Sequence, residues 1–396
     1  MSYIFSGIRE ISRFEHMPPV TEKPISLHVQ RFDAIIEEIH WGINLPGGSV
    51  AGYKQRTRLM RAKIVALAVA LIVAIPFMVI VGAAQIPIST VFGVILSHVP
   101  GLPIDITWHT TVDAIIWDNR LPRILASIAV GAILAVAGVV LQALVRNPLA
   151  EPYVLGLSSG AGTGAAVAVI ILNLSSVFGV GICAFIGATL CTFFVLSVAG
   201  KIRSPLMLVL AGLAASFGFS SLTNFLIFSA SNPETARSVN FWMLGSLAGT
   251  SWMNAIVLLI VAAIYALGII LVAPVLDALA NGDSSALSVG INPGRARILL
   301  LVPTSAAVAI AVSMTGGIGF VGLIVPHAMR ALIGTGHRIL AVSATLAGAL
   351  FLMLVDTMGR VIFAPAELPI GVITGMIGAP FILFIIFRNK KQLGIG

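Results

Sequence analysis

Residues 64–84 read IVALAVALIVAIPFMVIVGAA, which is 21 consecutive positions without a charged side chain. In an α-helix, which rises about 1.5 Å per residue, a run of this length covers the hydrocarbon core of a bilayer, about 30 Å thick. A second such run, ILASIAVGAILAVAGVVLQALV, occupies residues 124–145. Both runs therefore predict membrane-spanning helices.

The composition of the 396-residue chain agrees with these two runs. Hydrophobic residues make up 58% of the chain, charged residues make up 10%, and the mean hydropathy is +1.05. A soluble globular protein carries about 25% charged residues, so most of this surface does not face water. The net charge of +8 comes without a basic run interleaved with aromatics, and we expect no nucleic-acid partner. Cys183 and Cys191 both lie in apolar sequence, so we expect neither a disulfide framework nor a metal cluster.

Together with these two runs, the chain contains ten apolar stretches. The run at 152–200 has no charge and is too long for one crossing, and the polar residues 173–176 split it into two. The stretches are 64–84, 124–145, the two parts of 152–200, 204–228, 253–272, 298–315, 318–329, 339–355 and 368–387. We predict an all-α polytopic membrane protein with about ten transmembrane helices.

Basic residues in the loops predict the orientation, because cytoplasmic loops carry an excess of Lys and Arg. With the N-terminus in the cytoplasm, the outer loops hold only Arg120, Arg123, Arg237 and Arg360. The inner loops hold ten basic residues: Arg146, Lys201, Arg203, Arg295, Arg297, Arg330, Arg338, Arg388, Lys390 and Lys391. Both termini are therefore predicted to be cytoplasmic. The predicted division is a polar N-terminal extension (1–63), a ten-helix domain (64–388) and a cytoplasmic tail (389–396).

The motifs of membrane enzymes and ATPases do not occur in the sequence. There is no HExxH, no GxSxG, no paired carboxylates within a span and no histidine pair at haem spacing. The only Gly-Lys pair, Gly200-Lys201, is followed by Ile202 and lacks the glycines of a phosphate-binding loop. The spans also carry essentially no ionisable residues, which argues against a proton- or sodium-coupled carrier. We expect no catalytic residue, bound cofactor or metal, and uphill transport would need a partner to supply energy.

Two places in the sequence suggest partner contacts. The connection at 276–297 has an alanine-rich helical pattern that is broken at Gly282 and ends at Gly290, which favours a docking role over a plain linker. Arg120, Arg123 and Arg360 lie on the predicted outer side, where the excess of basic residues in cytoplasmic loops makes arginines unexpected. Arginine is well suited to bind the carboxylates of an acidic partner. Alternatively, Arg360 pairs with Asp356 one helical turn earlier, and Arg120 pairs with Asp118.

Six further blocks stand out along the chain, namely NRLPR (119–123), QALVRNPLAEP (142–152), GIGFVGLIVPH (317–327), GHR (336–338), AELPIG (366–371) and GAP (378–380). These blocks resemble the FecCD-type permeases, which are the transmembrane subunits of type II ATP-binding-cassette (ABC) importers for iron-siderophores, haem and cobalamin. The similarity runs in order from about residue 64 to residue 388.

The resemblance implies two permease subunits, identical or paralogous, around a central path in the bilayer of a bacterial inner membrane. It further implies two cytoplasmic ATPase subunits and an extracytoplasmic binding protein whose carboxylates meet Arg120, Arg123 and Arg360. The coupling segment at 279–290 would present Leu279, Gly282, Asp283, Ala286, Leu287, Val289 and Gly290 to the ATPase. The family's cytoplasmic gate falls on Ser204, Pro205 and Leu206, where proline and leucine depart from the small hydroxyl residues found in the family.

Three functions remain open from the sequence. The first is an ABC importer permease for an iron chelate of the siderophore type. The second is a permease of the same family for haem or cobalamin. The third, more remote, is a stand-alone secondary carrier or a membrane enzyme.

Overall fold

The computed structural model describes residues 50–82, 84, 86–102, 105–202 and 205–388. Most of the predicted N-terminal extension and the whole predicted tail lie outside these residues, as does Ser204. From Met60 onward the chain forms one compact unit. The described residues form helices and no strand, in the order α1 (Val50–Ile80), α2 (Ile88–Ser97), α3 (Thr110–Val145), α4 (Leu157–Ile171), α5 (Val177–Ile202), α6 (Pro205–Phe228), α7 (Pro233–Met243), α8 (Trp252–Leu271), α9 (Ala273–Ala280), α10 (Asp283–Ser288), α11 (Pro293–Thr315), α12 (Val321–Ile333), α13 (His337–Val361) and α14 (Ile370–Arg388).

The predicted all-α polytopic membrane architecture is confirmed. Seven helices in the described part are long and apolar enough to span a bilayer, namely α1, α3, α5, α6, α8, α11 and α13. Four further apolar helices are shorter, namely α2, α4, α12 and α14. Each of the ten apolar stretches coincides with one helix, and three of these helices, α4, α12 and α14, are among the shorter ones. The side on which the termini lie stays a prediction.

The core forms around α3, whose residues from Leu121 to Val145 are almost all buried. This helix packs against α13, α8, α12 and α11. Glycines permit two close crossings of α3, since a Cβ at Gly131 would overlap the carbonyl oxygen of Gly348 and one at Gly138 that of Gly322. Close backbone approach of this kind is how helices associate in lipid, where no hydrophobic effect acts between them.

Glycines also permit tight packing of α4, whereas Gly249 has a different role. Gly160 and Gly164 on α4 lie directly against backbone carbonyls of α5. A Cβ at Gly249, by contrast, would meet no atom within 4 Å. Gly249 has φ of +73°, so its role is a left-handed backbone conformation rather than helix contact.

Irregular backbone precedes the short helices α4 and α12. A tight turn (Pro152–Leu155) leads into α4, and an extended stretch with a left-handed Phe320 leads into α12. The two segments bind each other: the Ile318 N–H donates to the Tyr153 hydroxyl at 2.8 Å, and the Phe320 N–H donates to the Glu151 carboxylate. Irregular backbone at membrane depth is tolerated where protein groups satisfy it, and this pairing explains why α4 and α12 are short.

Candidate functional site

Arg123 and Asp356 form the centre of a cluster that joins α3 to α13 on the side predicted to be outer, and we call it the outer cluster. The Arg123 Nε lies 3.0 Å from each carboxylate oxygen of Asp356, and its Nη1 lies 2.8 Å from Glu367. The Arg123 side chain is 3% exposed and that of Asp356 is 1% exposed, whereas Glu367 is partly exposed. A guanidinium shared between two carboxylates in this geometry makes strong, charge-assisted hydrogen bonds.

Arg120 lies one turn before Arg123, at the end of a π-helical segment (Ile115–Arg120) of α3. Its guanidinium donates to the carbonyls of Val79, Ile80 and Ala84 at 2.8, 3.0 and 2.7 Å. These carbonyls lie at and just beyond the C-terminus of α1, where helical carbonyls lack an intrahelical partner and attract positive charge. Arg120 therefore caps α1, whereas Asp118, the partner considered from the sequence, is exposed.

Arg360 completes the outer cluster from α13. Its Nε lies 3.5 Å from Asp356, the residue one helical turn earlier that the sequence analysis considered as its partner. Its Nη2 donates to the Met78 carbonyl and the Thr357 hydroxyl. Among the described residues its Nη1 has no hydrogen-bond partner. The outer cluster thus holds three arginines and two carboxylates in the described structure.

The burial of the arginines corrects one expectation from the sequence. Docking through exposed ion pairs required accessible side chains, but all three arginines are at most 5% exposed. Their bonds connect α1, α3 and α13 within the subunit. Docking of a binding protein at this place stays a prediction, and it now has to act on a cluster that is already internally paired.

The predicted coupling segment at 279–290 comprises the end of α9 and the whole of α10. The chain turns at Gly282 (φ +119°) and again at Gly290 (φ +79°), which are the two breaks expected from the sequence. Leu279 and Ala286 are buried within the subunit, Ala286 completely. Ala286 and Leu279 therefore cannot present their side chains to a partner as predicted, whereas Leu287 and Val289 are 60% and 64% exposed.

Asp283 anchors the start of α10 to two spans. Its carboxylate accepts a hydrogen bond from Arg297 of α11 at 2.6 Å and one from Arg146. Arg146 ends α3 in a left-handed conformation (φ +55°) and also donates to the Leu279 carbonyl at 3.0 Å. Partial burial opposes ionisation, but the hydrogen bonds and charges of Arg297 and Arg146 outweigh it and lower the pKa of Asp283. Asp283 is thus an internal anchor, which the sequence did not reveal.

A second contact holds α9 against α13. The Asp277 carboxylate accepts from the backbone N–H of His337 at 3.0 Å and lies 2.6 Å from its Nδ1. Since Asp277 caps the N-terminus of α13, it satisfies a free N–H at the positive end of that helix. The coupling segment is therefore fixed to α3 and α11, and α9, which leads into it, is fixed to α13.

The model of the FecCD transport family matches residues 69–388, which is most of the chain. The chain belongs to the FecCD transport family. It is 38% identical over 278 residues to the vitamin B12 import system permease protein BtuC of Salmonella paratyphi A, covering 70% of this chain and 84% of that protein. The corresponding permease of Salmonella typhi is 37% identical over the same length. A metal-chelate type ABC transporter, solved in an inward-facing conformation, has a TM-score of 0.72 at 28% identity and covers 83% of this chain and 99% of its own.

Membership in the FecCD family confirms the resemblance seen in the sequence. It also confirms a multi-pass permease subunit of an ABC importer, rather than a stand-alone carrier or an enzyme. Of the residues predicted for the gate of this FecCD permease, Pro205 begins α6 and Leu206 is exposed. Their role as a gate stays a prediction.

Proposed function

We propose that this subunit carries a cobalamin-type corrinoid, a large cobalt chelate, through the inner membrane of a bacterium. The observation that supports the proposal is the 38% identity with vitamin B12 permeases over 84% of their length. This reverses the order of candidates reached from the sequence, where the iron chelate came first. A ferric siderophore is the second candidate, because the similar solved structure is described as a metal-chelate transporter.

In this proposal the energy comes from two separate ATPase subunits that bind at α10. The chain has no phosphate-binding loop, so it needs such a partner. Leu287 and Val289 are exposed at the C-terminal end of α10. Since Asp283 anchors α10 to two spans, a contact at this end suits the transmission of force. A second permease subunit, identical or paralogous, would complete the path.

The outer cluster is the proposed receiving point for the binding protein. Three arginines against two carboxylates leave the outer cluster with an excess positive charge, and Arg360 Nη1 has no acceptor among the described residues. A carboxylate from the partner would supply this acceptor and could take the place of Glu367, which is partly exposed. Glu367 is therefore the better residue for testing docking, since its loss leaves the Arg123–Asp356 pair intact.

Substrate choice is tested by uptake in cells that lack their own FecCD-type permeases and receive this chain with its ATPase and binding protein. Radiolabelled cyanocobalamin, ⁵⁵Fe-loaded siderophores and haem are compared, with an ATPase that cannot hydrolyse ATP as the control. Uptake of cyanocobalamin alone is the expected result. Uptake of an iron siderophore without cobalamin would instead support the second candidate, and uptake that is insensitive to the ATPase defect would contradict an ABC mechanism.

A further inference from the structure

A long apolar groove lies between α8 and α11, and its volume is about 760 Å³. Small residues open it, among them Gly268 on α8 and Ala296 and Pro303 on α11. A Cβ added at Gly268 would meet no atom within 4 Å. Gly138 lies against a neighbouring helix, but Gly268 does not. The absence of a side chain at Gly268 therefore leaves space that no part of the described structure fills.

The position of the groove decides what can enter it. Both flanking helices are candidate membrane spans, and exposed apolar side chains such as Ile264 and Leu299 line the groove. Along α11 the lining runs from Arg295 to Ile310, which is about 22 Å at 1.5 Å per residue. One leaflet contributes about 15 Å of hydrocarbon, half of a core about 30 Å thick. The groove therefore starts at the membrane surface and extends at least as deep as one acyl chain.

Arg295 supplies a charge at the surface end of the groove. Its side chain is exposed and, within the described residues, forms no ion pair or side-chain hydrogen bond. The acids of the neighbouring helices α9 and α10 are engaged elsewhere, since Asp277 binds His337 and Asp283 binds Arg146 and Arg297. An uncompensated guanidinium at the membrane surface attracts a phosphate.

We propose that the groove binds one acyl chain of an anionic phospholipid whose phosphate pairs with Arg295. The lipid belongs to the leaflet on the side of α10, which the positive-inside rule predicts to be cytoplasmic. An acyl chain fills a void that would otherwise leave the lining side chains without dispersion contacts. A lipid in the groove would contact both α8 and α11. The coupling segment lies between these two helices in the sequence. This site is independent of the transported substrate.

The test measures lipid retained by the purified full-length subunit in neutral detergent. Delipidated protein is mixed with equimolar phosphatidylglycerol and phosphatidylcholine of identical acyl chains, and bound lipid is counted by native mass spectrometry. One phosphatidylglycerol per subunit is expected. Arg295→Gln should lower the preference for phosphatidylglycerol about fivefold, equivalent to about 1 kcal/mol for one basic residue near an anionic headgroup. Arg295→Lys should preserve the preference.

Filling the groove gives a second, independent arm. Gly268→Leu should reduce retention of both lipids, because its side chain enters the open space. Gly268→Ala controls for the change in helix propensity, and Ala263→Leu introduces a leucine at an exposed position of α8 outside the groove. Both controls should bind like the wild type, and thermal unfolding in lipid-free detergent shows that all variants are folded. Unchanged lipid retention in folded Gly268→Leu would overturn the proposal, as would a wild type without preference between the two headgroups.

Discussion

Asp356 is the residue on which the outer cluster depends, because it faces both Arg123 and Arg360 and its side chain is only 1% exposed. Asp356→Asn keeps the shape of the side chain and removes the charge. Breaking a buried ion pair by neutralising one partner typically costs about 3–5 kcal/mol, since the remaining charge stays buried. We expect a clearly lower thermal midpoint in detergent. Asp118→Asn, at an exposed neighbour of Arg120, should change the midpoint little, and equal midpoints for the two variants would contradict the structural role of Asp356.

Asp283 should make the stability of the coupling segment depend on pH. Its pKa is lowered in the folded chain, because Arg297 and Arg146 outweigh the effect of partial burial. A carboxylate of this kind stabilises the fold above its unfolded-state pKa, and that contribution is lost as the pH falls through the lowered, folded-state pKa.

The measurement compares thermal midpoints of the wild type and Asp283→Asn. The wild type should be more stable at neutral pH, and the difference should shrink in acid below about pH 3.9, the ordinary value for an aspartate. Glu234→Gln removes an exposed carboxylate on α7 as the control. A difference that persists unchanged in acid would show that Asp283 acts by packing rather than by charge.

At the same scale, the sequence could predict which arginines are unusual but not what they bind. Arg123 and Asp356 are 233 positions apart, and the carbonyls bound by Arg120 lie about 40 positions before it. Residue type carries no signal for a backbone carbonyl as partner. The Arg360–Asp356 pair was predictable because its spacing is local. Ala286 was predicted to face the ATPase, but it is buried within the subunit. The sequence could not distinguish the two cases, because a small alanine fits either a close interface or a buried position.

At the scale of helices, the crossing of α3 with α12 depends on Gly138. A methyl group there would overlap the Gly322 carbonyl, and backbone cannot move aside as a flexible side chain can. Overpacking a core typically costs about 1–3 kcal/mol, occasionally more. Gly138→Ala should therefore lower the thermal midpoint and the monodisperse yield in size-exclusion chromatography. Gly268→Ala, which meets open space, should be neutral or gain up to about 1 kcal/mol of helix propensity; equal losses for both would refute the crossing argument.

The helices themselves were largely predictable, because lipid demands long apolar runs and loops interrupt them. What hydropathy could not show is where an apolar run stops being helical. The uncharged stretch at 152–200 contains the turn Pro152–Leu155, whose backbone is satisfied by pairing with the segment before α12. That pairing joins residues 165 positions apart. The short helix α2 was missed because its ten residues are too few for a spanning signal.

At the scale of the whole permease, α3 connects the two places where partners are proposed to bind. Arg120 caps α1 near one end of α3 and Arg146 holds the coupling segment at the other, about 39 Å apart along the helix at 1.5 Å per residue. Arg146 connects the coupling segment to the end of α3 through Asp283 and the Leu279 carbonyl. The helix α3 also packs against most of the long helices. The coupling segment is therefore bonded directly to the central helix of the subunit.

This arrangement leads to a prediction about coupling in the assembled importer. Leu287→Ser with Val289→Ser removes apolar contact area from the exposed face of α10 without touching its anchors. In proteoliposomes containing both permease and ATPase subunits, uptake driven by ATP should fall severely while the thermal midpoint of the permease stays unchanged. Ala286→Arg should lower the midpoint as well, because it places a charge at a fully buried position. Leu332→Ser serves as the matched control, since Leu332 is an exposed leucine at the end of α12. Normal transport in the double variant, or an equal loss in Leu332→Ser, would place the ATPase contact elsewhere.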